Sequence, residues 1–137
     1  MLSLKKLIAK VLAYLITLTN SITDLKNHIK PSTPTISIST TVGTLTSATV
    51  KKSGNVVQLS LITAHSGTTD VGDSTYEGTI NTTGLRPLAV VTSGHYYGVR
   101  AITGNIAANG KIIIRNTGTT AISNMTNQYM TFTYIVN

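Results

Sequence analysis

The side chains able to do chemistry in this chain are few, and most of them fall in two short stretches. Cysteine is absent, which removes a thiol nucleophile, a thiolate metal site and a disulfide framework together. The first stretch, "HSGTTDVGDSTYEGT" at 65–79, carries Asp70, Asp73 and Glu77. A glycoside hydrolase needs two carboxylates roughly 5 to 9 Å apart across a cleft, whereas acids in a Gly-rich turn more commonly cap backbone donors. The spacing D-x-x-D-x-x-x-E also lacks the alternating oxygen ligands of a calcium loop. His28, His65 and His95 share no paired spacing. No catalytic activity, metal or other cofactor is expected, and a polysaccharide hydrolase is the remote alternative. The second stretch is "SGHYYGVR" at 93–100, where His95, Tyr96, Tyr97 and Arg100 set flat apolar faces beside hydrogen-bond donors. Sugars bind by stacking on aromatic rings with a few directed hydrogen bonds, and an anionic polymer such as teichoic acid favours arginine. These four residues are the first candidates for a ligand site. Tyr76 and His65, flanking the long polar loop, are the second. The competing reading packs alternate members of the same strand into a core.

Composition sets the elements that must hold these residues. A chain of 137 residues has room for one ordinary domain and a short appendage. Charged residues make up 11%, so the surface is polar mainly through Ser, Thr, Asn and Gly, which suits short strands and turns. The 11 Lys and Arg against 4 Asp and Glu give a formal charge of +7. Lys5, Lys6, Lys10, Lys26 and Lys30 gather in the N-terminal region with Asp24 as their only acid, and the remaining cations are scattered. An excess of cations suits an anionic partner or the solubility of an assembly. Nucleic acid is not expected, because no stripe of cations interleaved with aromatics is present.

"LIAKVLAYLITL" at 7–18 is the most apolar run. Lys10 interrupts it and no Ala-x-Ala follows, which argues against a signal peptide. A membrane span needs about 20 apolar residues, and Thr17, Thr19, Asn20, Ser21 and Thr23 close the run too early. Its periodicity says more. Met1, Ile8, Leu15, Ile22 and Ile29 recur every seventh residue, as do Leu4, Val11, Leu18 and Leu25 with an offset of three. They fill the a and d sites of a heptad repeat. Leu7, Leu12 and Tyr14 widen the stripe at e and g, which favours three helices over two. The expectation is a helical coiled-coil stem over 1–30, ended by Lys30-Pro31, in a homotrimer. The competing readings are a helix folded back on its own sheet and a helix lying on a membrane surface.

Residues 31–44, rich in Ser, Thr and Pro, read as a linker or first strand. From 45 to 137 the pattern is of strands. "SATVKKSGNVVQLSLIT" predicts a hairpin about Ser53-Gly54-Asn55 with Val57, Leu59 and Leu61 on one face. "LRPLAVVTS", "HYYGVRAIT", "GNIAANGKIIIRN" and "QYMTFTYIVN" predict further strands, with Met130, Phe132, Tyr134 and Val136 inward in the last. Spacing of about 8 to 12 residues indicates an antiparallel sandwich or barrel. One Phe and no Trp leave each such domain a modest core, which contact between copies would supplement.

The ordered set "GNVVQLSLIT", "GLRPLAVV", "GNIAANGKIIIRN" and "YMTFTYIVN" resembles the C-terminal head domains of tail-fibre, baseplate and head-fibre proteins from phages of Gram-positive bacteria. The likeness covers 45–137, with Leu85 where tyrosine is commoner in the Gly-x-Arg-Pro turn. It implies a mainly β, homotrimeric virion fibre whose β-sandwich head contacts host-surface glycan, with other virion proteins as partners. The alternative is a purely structural virion decoration. The matching motifs are framework, and Arg86 is expected to tie down backbone carbonyls.

Overall fold

A computed structural model describes residues 3–137 apart from Gly98 and Val99, and the side chains of Tyr96 and Tyr97 also lie outside the described residues. Two compact units divide between Pro31 and Ser32.

The first unit is one helix, α1, Leu4–Ile29. Ser3 caps it, its hydroxyl accepting from the Lys6 amide at 3.4 Å. Lys30 leaves the helical region at φ −62°, ψ 125°, as the proline after it requires. Thr17, Thr19, Ser21 and Thr23 each donate to the carbonyl four residues back, at 2.9–3.1 Å. These hydroxyls therefore need no outside acceptor.

The second unit is mainly β: β1 Ile38–Val42, β2 Thr44–Ser53, β3 Val56–Thr69, β4 Ser74–Ile80, β5 Val91–Tyr97, β6 Arg100–Ile106, β7 Lys111–Asn116 and β8 Ile122–Ile135. They form two antiparallel sheets, ordered β2-β3-β8 and β1-β4-β7-β6-β5. Alternation decides which side chains go inside. Val57, Leu59 and Leu61 of β3 and Met130, Phe132 and Tyr134 of β8 meet Tyr76, Ile80, Ile102, Ile106, Ile112 and Ile114 from the other sheet in a single core. Gly104 lets the sheets close: a Cβ there would lie 2.7 Å from Phe132 Cζ.

Where the chain changes sheet between β1 and β2 stands Gly43, at φ +71°. A Cβ would lie 2.5 Å from the Thr75 carbonyl oxygen and 2.9 Å from that of Ala64. Only glycine meets both demands. The expected hairpin turns at Gly54-Asn55 between β2 and β3.

Two strand expectations need correction. "LRPLAV" is not strand: a 3-10 turn spans Thr83–Leu85 and β5 begins at Val91. Pro87 fixes φ and donates no hydrogen bond, so a loop suits it better than a ladder. "HYYGVRAIT" is not one strand either, since β5 ends at Tyr97 and β6 starts at Arg100, with Tyr97 paired to Arg100. The segment taken as linker or first strand contributes β1, which pairs with β4, and Ser32 bridges Lys52 in both directions at 2.7 and 2.8 Å.

The Gly84-Leu85-Arg86-Pro87 turn is held from two sides. Arg86 Nε donates to the Ile80 carbonyl at 2.8 Å, the framework role expected of it. Tyr134 donates its hydroxyl to the Leu85 carbonyl at 2.8 Å. Burial pushes the Tyr134 phenol up to about 12.

Candidate functional site

β5 is an edge of the five-stranded sheet and β8 an edge of the three-stranded one. Between the β5–β6 hairpin and β8 lies a hollow of about 200 Å³ lined by His95, Arg100, Ile102, Met125, Asn127, Gln128 and Tyr129. Two of the first-choice candidates, His95 and Arg100, thus share one concavity. His95 of β5 pairs with Ile102 of β6, and Arg100, paired with Tyr97 at the end of the ladder, stands two residues before Ile102 on β6. The other two, Tyr96 and Tyr97, are placed on β5, and their side chains lie outside the described residues.

A bulge in β8 shapes the opposite wall. Thr63 pairs with Gln128 and His65 with Met125, so β8 takes three steps where β3 takes two. Such an insertion re-aims side chains. Asn124, at φ 48°, secures the next irregularity by accepting the Gly67 amide at 3.0 Å. Gln128 is nonetheless buried, at 1% exposure. Its Oε1 sits 3.1 Å from the Thr63 hydroxyl and 3.0 Å from that of Thr75. Its Nε2 donates to Met125 Sδ at 2.8 Å.

His65 is half-buried and lines a neighbouring depression with Thr44, Ala64, Ser66, Asn124, Met125 and Thr126, Met125 being common to both hollows. Tyr76 is the correction. It is fully buried, its hydroxyl 3.1 Å from Thr40 Oγ1, and desolvation raises its pKa. A core tyrosine presents no face for a ligand to stack on.

In the polar loop the Asp70 backbone carbonyl accepts the Asp73 amide at 3.1 Å. Glu77 accepts from the Ser74 hydroxyl at 2.9 Å and pairs with Lys111 at 3.6 Å. Among the described residues no group of three His, Asp or Glu is placed to hold a metal ion.

Asn127, Gln128, Tyr129, Met125 and Ile102 were not foreseen as lining residues. One signal pointed to them: inward alternation through Val136, Tyr134, Phe132 and Met130 continues to Gln128 but then jumps to Met125, a phase break in "SNMTNQYM" that marks the bulge.

The helical unit carries a second feature. Its large apolar side chains are open to solvent, Leu4 at 71%, Leu15 at 50% and Leu25 at 63%, and no residue of α1 is buried. Ile8, Val11, Leu18, Ile22 and Ile29 are likewise exposed, while Met1 lies outside the described residues. No helix among the described residues is long and apolar enough to cross a membrane.

No protein-family model matches the chain, and no curated protein matches it.

Proposed function

We propose that this chain is a non-enzymatic fibre or receptor-binding protein of a phage virion, drawn into a homotrimer by α1, whose β unit contacts host-surface glycan. The observation that carries the reading is the exposed heptad stripe on α1. Ile8, Val11, Ile16, Thr17, Thr19, Ile22, Thr23 and Ile29 are β-branched, each costing about half a kcal/mol against alanine in a helix. Lys5 and Lys6 occupy the first turn, with no acid beside them, against the helix dipole. Helical stability in such a sequence comes from packing its apolar face, and copies of the same stripe offer the matching surface. Burying one Leu or Ile is worth about 1.5–3 kcal/mol.

The flanks fit the same arrangement. At e and g stand Leu7, Leu12 and Tyr14, then Thr19 and Ser21, whose hydroxyls are satisfied within their own helix, while the polar Lys5, Lys26 and His28 occupy the e and g sites nearest the two ends. A seam can cover the two hydroxyls without stranding a donor. Three linked β units then bind a repetitive surface with an avidity no single unit reaches.

The test is cosedimentation of the full chain with cell-wall preparations from Gram-positive bacteria. The wild type is expected to pellet with walls from a susceptible strain, and Leu15→Asp to remain in the supernatant. Absence of wall binding across a broad panel, with the oligomer intact, would favour a structural virion decoration.

A further inference from the structure

We propose that the hollow between the β5–β6 hairpin and the β8 bulge is a binding site for a carboxylate-bearing monosaccharide unit, such as a uronic acid within a surface polysaccharide. This rests on the glycan-contact reading above and gives it a ligand class.

Among the described residues the polar lining offers hydrogen-bond donors and no negative charge: His95, Arg100, Asn127 and Gln128 line the hollow, and neither Asp nor Glu does. Among the described residues Arg100 has no carboxylate partner, the one ion pair being Lys111 with Glu77. An uncommitted guanidinium at the rim of a concavity fits a planar carboxylate, which it can grip through two parallel hydrogen bonds.

Gln128 adds a second, independent argument. Two threonine hydroxyls hold its Oε1, so the amide group is fixed with Nε2 turned the other way. Among the described residues Nε2 meets the Met125 thioether, a weak acceptor. A buried amide with two N–H groups and a sulfur as their acceptor is poorly satisfied, and that is costly unless another acceptor arrives. A ligand oxygen in the hollow supplies one.

The other described lining residues are apolar: Ile102, Met125 and the ring of Tyr129, the last 62% exposed. An aromatic face beside directed donors suits a sugar ring, whose C–H face stacks while its oxygens accept. The volume of about 200 Å³ is below the roughly 300–1,000 Å³ of drug-sized sites, so one ring enters and the polymer continues outside. A phosphodiester of a flexible polyol chain has no comparable apolar face to place against Ile102 and Met125.

The experiment is titration calorimetry of the full-length chain with glucuronic acid, glucose and glycerol phosphate as separate probes. Glucuronate is expected to bind at least about tenfold more tightly than glucose or glycerol phosphate, one charge-assisted pair being worth that factor. Arg100→Gln should lose about tenfold toward glucuronate and change glucose little, and the exposed Asn127→Ala should weaken both sugars. Equal affinity for glucuronate and glucose, tighter binding of glycerol phosphate, no saturable heat with glucuronate, or an unaltered Arg100→Gln would each overturn the proposal. If the wild type still pellets with cell walls in that event, glycan contact survives and only this site and ligand class fail.

Discussion

Tyr134 shows how one side chain fixes a loop. Its hydroxyl bond to the Leu85 carbonyl joins the terminal strand to the Gly-Leu-Arg-Pro turn, and Tyr134→Phe is expected to cost about 1 kcal/mol at neutral pH. The phenol ionises at about 12 when folded against 10.0 for an ordinary tyrosine, so the unfolded chain loses its proton first. The stabilisation is complete below pH 10 and drains as pH climbs from there toward 12. Urea midpoints measured across that window should fall further for the wild type than for Tyr134→Phe; parallel falls would contradict the assignment. Arg86 was legible in the sequence, because an arginine flanked by a tight turn and a proline has carbonyls to hold. Tyr76 was not. The ladder of β4 with β7 slips between Ser74 and Tyr76, so Thr75 and Tyr76 are consecutive inward residues; alternation counted back from Ile80 turns Tyr76 inward, whereas counted forward from Thr75 it turns the ring outward.

Among elements, the strands with unbroken alternation could be read directly: Val57, Leu59 and Leu61 of β3 and Met130, Phe132 and Tyr134 of β8 are all buried. The segments that misled are those where a turn or a proline outweighs local β propensity, as in "LRPLAV" and "HYYGVRAIT". The candidate hollow depends on the β8 bulge, which is why Met125, Asn127, Gln128 and Tyr129 were not legible as lining residues beforehand. Sheet separation has its own determinant in Gly104, whose missing side chain admits Phe132 and Met130. Gly104→Ala should destabilise by about 1–3 kcal/mol through overpacking. Phe132→Leu makes room at the same point, so the double variant should lose less than the sum of the singles in a denaturant-melt cycle. Strict additivity would mean that the two residues do not press on each other across the sheets.

For the molecule as a whole, the heptads were visible because a seven-residue spacing of apolar side chains survives any uncertainty about helix ends, and α1 covers the expected range closely. The sequence could not say what covers the stripe, since the same pattern suits a self-seam, a foreign helix or a lipid surface. A self-seam is compatible with the charges: the a and d sites carry none, Lys6 and Lys10 lie outside the stripe, and Lys5 and Lys26 flank it at e. Sedimentation equilibrium of the full chain at micromolar concentration tests this most directly. The wild type is expected to have three times the chain mass, and Leu15→Asp, which puts an unpaired charge into each strand of a dry seam, the mass of one chain. A wild type that sediments as a single chain would contradict the account.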